Sequence, residues 1–369
     1  MASEETVAGE LARVMLRQQL GLKRGENLIV ETWNHTFGYA AACVVEARRI
    51  GAHPLLVVED ESSYFRSIQA SPSVSSWSNP GSHEWAALAK AQAYVFFPGP
   101  ADRGRMDALA PNVRRALVAY NDEWYARARR TGLRGVRSVL GYVSESEAER
   151  YGVVGPSWRT RILDASVRAD FPTIVKDARR VEQMLRVGKT LRVTAPNGTD
   201  FQVRLRGRRP WVDDGVVGRD DLRAHRNMTW SPPGYVSVAI DERSADGMAI
   251  ANRPSYLYAG RADGGQWEMR GGHLTNFWYT EGQPAFETGF AQGGRGRDTI
   301  SFLSVGLNSA LAPETPRVED QEGGAVTLGV GGNQLYGGSN RCSFMSYIVM
   351  GEATVAVDGR PLVDRGKLL

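Results

Sequence analysis

Apolar positions recur along this chain with two different periods, and the change falls near residue 190. Val7, Leu11, Val14 and Leu20 stand near helical spacing, which predicts a helix over 5–20. The run LKRGENLIVE predicts a turn and then an apolar strand at 27–31. A helix follows at 38–50, stopped by Gly51, and a second strand at 54–58. Strand, helix and strand in this order predict a parallel pair. Further strands are predicted at 93–97 and 137–143, with a helix at 111–131 that has Pro111 in its first turn. Ser144 and Glu147 form a capping box for the next helix. Residues 158–188 read as helical and bridge two halves. Beyond Thr190 the period drops to two. Asn197-Gly198 between apolar runs is a hairpin signal, and short strands then alternate with Gly-rich turns, as at 236–240, 255–258, 299–304, 326–329 and 354–357.

The first half is therefore expected to be a Rossmann-like α/β domain, residues 1–157. The segment 158–188 is expected as an interdomain helix, and 189–369 as an antiparallel β-barrel-like domain. A length of 369 residues suits two domains. All but five of the 45 basic residues are arginine, yet the net charge is only +4 and no basic stripe is interleaved with aromatics, which argues against nucleic acid as a partner. The chain opens on a charged amphipathic stretch, and no apolar run approaches the roughly 20 residues that cross a bilayer. A cytoplasmic protein without a membrane partner is expected. Cys43 lies in an apolar helical run and reads as a buried free thiol. No GxGxxG follows the first strand, there is no GxSxG or HExxH, and GVGGNQLYGGSN lacks the GK[ST] ending of a phosphate loop. Trp33-Asn34-His35 directly follows the first strand, where α/β sheets present binding loops, so Trp33 and His35 are candidate ligand contacts.

Several segments in series carry a family likeness: GAHPLLVVED, GYVSESEAERYGV, PNGTDFQVRLRGR, SPPGYVSVAID, FLSVGLN, VEDQEGGAVTLGVGG, YGGSNRCSFMSYIVM and VAVDGRPLVDRGKLL. Together they resemble the M29 aminopeptidases (the aminopeptidase T group) and the related 2,5-dihydroxypyridine dioxygenase. The resemblance implies that five of these positions deliver glutamate, histidine and aspartate to metal. Here they hold Tyr235, Phe302, Thr327, Phe344 and Ser346. Tyr336 stands where the peptidases place a tyrosine near the metal. Divalent metals need carboxylate or imidazole donors, and a phenyl ring is neither. No metal and no cofactor are therefore expected. The vacated pocket, with Tyr235, Phe302, Thr327, Tyr336, Phe344 and Ser346 in its walls, is expected to hold a peptide or small aromatic molecule. The setting this suggests is accessory or cyclisation-assisting work in ribosomal peptide natural-product biosynthesis, a crocagin-type pathway among the candidates. Two alternatives stay open: a metal-independent hydrolase or cyclase using Tyr235, Tyr336 or Ser346, and an aminopeptidase or dioxygenase with ligands relocated among His225, His273, Glu281, Glu287, Asp298, Glu319 and Asp320. The resemblance also implies a homodimer joined through the second half.

Overall fold

A computed structural model describes residues 4–369 apart from 72, 79, 258 and 259. The chain forms two compact units. The first comprises residues up to Glu149, Val153–Val167 and Gly215–Pro232; the second comprises Arg150–Gly152, Arg168–Asp214 and Pro233–Leu369.

The first unit is built on a five-stranded parallel sheet. Its strands are β1 (Asn27–Trp33), β2 (His53–Glu59), β3 (Ala93–Phe96) and β4 (Arg134–Ser138), in the order β2-β1-β3-β4, and Met228–Ser231 pairs beside β4. The predicted parallel pair at 27–31 and 54–58 is β1 with β2, and the helix between them, Phe37–Ile50, ends at Gly51 with φ 83°. The strand expected at 137–143 lies earlier, at Arg134–Ser138, and Val139–Tyr142 is a 3-10 turn. The cause is Gly135, which breaks the apolar pattern there. A Cβ at Gly135 would meet the Met228 Sδ at 2.0 Å, so the residue is small because Met228 from the neighbouring strand lies against it. Capping by Ser144 holds as expected, its Oγ accepting from the Glu147 N–H at 3.1 Å.

The predicted helical bridge is two helices, Gly155–Val167 and Phe171–Val187. Asp170 starts the second by accepting from the Thr173 N–H, with Pro172 in the first turn, where the missing donor costs nothing. This second helix buries Ile174, Ala178, Val181 and Leu185 in the core of the second unit.

In that unit the Asn197-Gly198 hairpin forms as predicted, joining Thr190–Thr194 to Asp200–Arg204 with Gly198 at φ 97°. The hairpin is part of an eight-stranded antiparallel sheet that also contains Asp246–Ile250, Gln266–Arg270, His273–Trp278, Thr354–Val357 and the C-terminal strands. A second antiparallel sheet runs Met345–Met350, Val326–Gly331, Ile300–Gly306, Tyr235–Ala239, Trp211–Asp213. Both contribute side chains to one core, among them Val193, Phe201 and Trp267 from the first sheet and Val238, Leu303 and Leu328 from the second. The expected barrel is thus corrected: among the described residues neither sheet closes on itself, and two open sheets share a core instead. Of the strand expected at 255–258, Ser255–Leu257 forms and Tyr258 lies outside the described residues. No described helix is long and apolar enough to cross a membrane.

Candidate functional site

The register of the five-stranded sheet fixes which predicted residues can meet. Gly306 pairs with Tyr235, Phe302 with Ala239 and Gly329, and Thr327 with Ser304, which in turn faces Ser237. Alternation then sets Tyr235, Ser237, Phe302, Ser304 and Thr327 on one face, while Val236, Val238, Leu303, Val305, Val326 and Leu328 point into the core. The Ser237 and Ser304 hydroxyls are hydrogen-bonded to each other. Tyr336 joins this face, its ring 4.4 Å from that of Phe302. The structure does not bring Phe344 and Ser346 there. Ser346 pairs with Val330, a core residue, and its hydroxyl bonds to Tyr279 in the same core. The Phe344 ring lies 5.6 Å from both Phe286 and Phe290. Phe344 lies just before the strand Met345–Met350, and Ser346 stands on that strand's core side, the face opposite to Thr327.

The Tyr235 face is packed closed. Tyr235, Phe302, Thr327 and Tyr336 are each buried, and a Cβ on Gly329 would sit 2.0 Å from the Phe302 ring. Two carboxyls accompany it, the buried Glu319 and the half-buried Asp320. Glu319 Oε1 accepts from the Tyr256 N–H at 2.7 Å and the Tyr347 hydroxyl at 2.8 Å, whereas its Oε2, like Thr327 Oγ1, has no partner among the described residues. Burial first, and then Asp320 beside it, pushes Glu319 up to about 7; burial pushes Asp320 up to about 6. Burial also drives the Tyr235 hydroxyl well above its ordinary range, with Tyr336, Asp213 and Asp320 adding to it. Glu319 and Asp320 thus hold their protons toward neutrality, whereas Tyr235 stays protonated there. Among the described residues no group of three His, Cys, Asp or Glu side chains is placed to hold a metal ion. His225 belongs to the first unit; His273 sits at the surface of the second, 3.0 Å from Asp298.

Open space lies elsewhere. A cavity of about 1070 Å³ opens in the first unit at the carboxyl ends of β1, β3 and β4. The chain leaves β1 for β2 on one side and returns to β3 on the other, and α/β sheets of this order hold ligands at that reversal. Trp33 lines the cavity, as the sequence suggested. Its ring lies against Gly99, where a Cβ would come within 2.4 Å of it, and stands edge-on to Tyr64 at 4.9 Å. Tyr64 in turn meets Trp77 at 5.7 Å. His35, grouped with Trp33 in the sequence, faces a different hollow of about 450 Å³. Its Nε2 is 3.0 Å from the Gly141 carbonyl, and burial lowers its pKa.

The polar groups of the large cavity went unread in the sequence. Register places Glu31 of β1, Phe96 of β3 and Arg137 of β4 in one row across adjacent strands. Glu31 is half-buried; its Oε2 accepts from the Tyr94 hydroxyl at 2.6 Å, and desolvation raises it to about 7 despite that bond. Glu59 at the end of β2 is raised by burial and by Glu84. The Arg137 guanidinium lies 4.3 Å from the Tyr125 ring and 5.4 Å from that of Trp230. The signal was present: NLIVETW and PLLVVED each carry a carboxylate at the carboxyl end of an apolar strand.

No protein-family model matches the chain, and no curated protein matches it in sequence. Solved structures do match its fold. Wild-type AmpT from Thermus thermophilus matches with a TM-score of 0.70 at 16% identity, over 100% of both chains. A 2,5-dihydroxypyridine dioxygenase from Pseudomonas putida KT2440 matches with a TM-score of 0.64 at 15% identity, over 100% of this chain and 98% of that one. The chain thus has, along its whole length, the fold of the two groups that its segments resemble. Identity this low leaves the chemistry to be argued from side chains.

Proposed function

We propose that this chain is a metal-independent binding protein on the M29-type fold, taking an aromatic-bearing peptide or small aromatic molecule into the cavity beside Trp33. The observation that carries the reading is that cavity: about 1070 Å³, at the reversal point of a parallel sheet, walled by Trp33, Tyr64 and Trp77. Ligand cavities are characteristically apolar and aromatic with a few placed polar groups. The metal-free part of the reading is supported by the rings and hydroxyls at 235, 302, 327, 344 and 346. Such a protein suits accessory work in peptide natural-product biosynthesis. Calorimetry with tryptophan-containing peptides tests it. Trp33→Ala removes a ring contributing on the order of 1.5–3 kcal/mol and is expected to weaken binding at least tenfold. Unchanged affinity in Trp33→Ala and Tyr64→Ala would exclude the cavity as the site.

A second reading, a metal-independent acid–base enzyme, is favoured by the desolvated Glu319 and Asp320 beside Tyr347. It requires turnover that Glu319→Gln abolishes while binding at the Trp33 cavity persists.

A further inference from the structure

Acidic and basic side chains that lack a counter-charge among the described residues face the large cavity. Glu31, Glu59 and Glu84 all line it, and none meets a basic side chain among the described residues. Glu31 has only the Tyr94 hydroxyl, and Glu84 has the Tyr120 hydroxyl and the Gly81 N–H. Arg137 lines the same cavity. It is half-buried against aromatic rings and hydrogen-bonded to the Tyr125 side chain, but no described carboxylate pairs with it and its Nε has no hydrogen-bond partner among the described residues. Buried charge without a counter-charge is costly, and groups in this state are the ones a ligand satisfies. The two signs do not neutralise each other because Phe96 stands between Glu31 and Arg137 in the row.

Resting on the binding reading above, we propose that the ligand is a free-ended short peptide of two or three residues with an aromatic side chain. The carboxylates at Glu31 and Glu59 take its ammonium end, Arg137 takes its carboxylate end, and Trp33 and Tyr64 take the ring. The spacing selects the length. Adjacent strands lie about 4.8 Å apart, so the backbones at Glu31 and Arg137, two strands apart, are about 10 Å apart. An extended residue spans about 3.3–3.6 Å, so the two termini of a di- or tripeptide lie roughly 7–10 Å apart, while those of a single amino acid are too close to reach both groups. An ammonium beside Trp33 and Tyr64 also gains from the ring faces. Arg137 presents a planar donor set that matches a carboxylate.

Calorimetry on the full chain with Gly-Trp-Gly in four forms tests this: both termini free, N-acetylated, C-amidated, and blocked at both ends. The free form is expected to bind at least tenfold tighter than either singly blocked form, and the doubly blocked form weakest. Glu31→Gln is expected to erase the preference for a free ammonium and leave that for the carboxylate; Arg137→Gln is expected to do the reverse. Equal binding of all four forms would overturn the charge-paired peptide and leave the aromatic reading standing. Absence of binding by every form would overturn both. The wild-type comparison of the four peptides decides the matter even where a variant fails to fold. Free tryptophan binding as tightly as the tripeptide would overturn the length argument.

Discussion

The ring of Phe302 fills the space that a side chain on Gly329 would need, and Tyr336 packs on it at 4.4 Å. Truncating Phe302 to Ala is expected to cost about 3–5 kcal/mol in urea unfolding. Gly329→Ala forces the ring to shift and is expected to cost about 1–3 kcal/mol. In the Phe302→Ala background that second cost should largely vanish, and strict additivity of the two would show that the contact does not govern the site. Desolvated carboxyls allow a second prediction. Glu31 and Glu319 each hold their proton to a pH of about 7 in the folded chain, against an ordinary value of 4.5. Between those values the native state binds more protons than the unfolded one, so stability falls as pH rises and levels off above about 7. Glu31→Gln and Glu319→Gln remove the penalty. Each should gain on the order of 2 kcal/mol relative to the parent between pH 5 and pH 8; a pH-independent difference would contradict the burial argument. Of the candidate residues, Trp33 was legible because a ring just past an apolar strand has a definite address in α/β sheets. Tyr235, Phe302 and Thr327 do share a face, since the register pairs 302, 304 and 306 with 235, 237, 239, 327 and 329. Ser346 stands apart from them, because the strand pairing that turns it into the core is invisible to local spacing, and Phe344 falls just outside that strand.

Most elements were legible where a period of apolar residues ran long and ended in a recognisable stop. Pro111–Thr131 and Thr354–Val357 match their expected bounds, and the turn at Asn197-Gly198 set its hairpin. What escaped was non-local. Met228–Ser231 is a four-residue strand whose partner, β4, lies far back in the sequence, and no local period marks it. The break between Gly155–Val167 and Phe171–Val187 carried its own signals, an Asp cap and Pro172, which the continuous helical pattern masked. Helix ends give a clean prediction. Gly132 closes Pro111–Thr131 at φ 71° with open space around an added Cβ. Gly132→Ala should therefore cost only the strain of a left-handed alanine, about 1–2 kcal/mol, read as a lowered thermal midpoint. No change would mean that the last turn can unwind without loss.

At the level of the molecule, the donor-poor set at 235, 302, 327, 344 and 346 predicts that protein purified without chelator carries no stoichiometric transition metal. Elemental analysis checks this, and added chelator should leave the melting temperature unchanged, since bound metal would stabilise by mass action. About one zinc, manganese or iron per chain would defeat the metal-free reading. The resemblance further predicts a homodimer through the antiparallel unit; light scattering giving a monomer of 40.5 kDa would refute it. The late strand Met228–Ser231 has a consequence for how the protein is made. A ribosome releases β4 roughly ninety residues before the strand that will lie beside it. At the ~5–20 residues per second of synthesis, the parallel sheet stays incomplete for on the order of 5–20 s. During that wait β4 is a naked edge. A nascent chain stalled before residue 228 should therefore depend on chaperones, however sound its first half looks on paper.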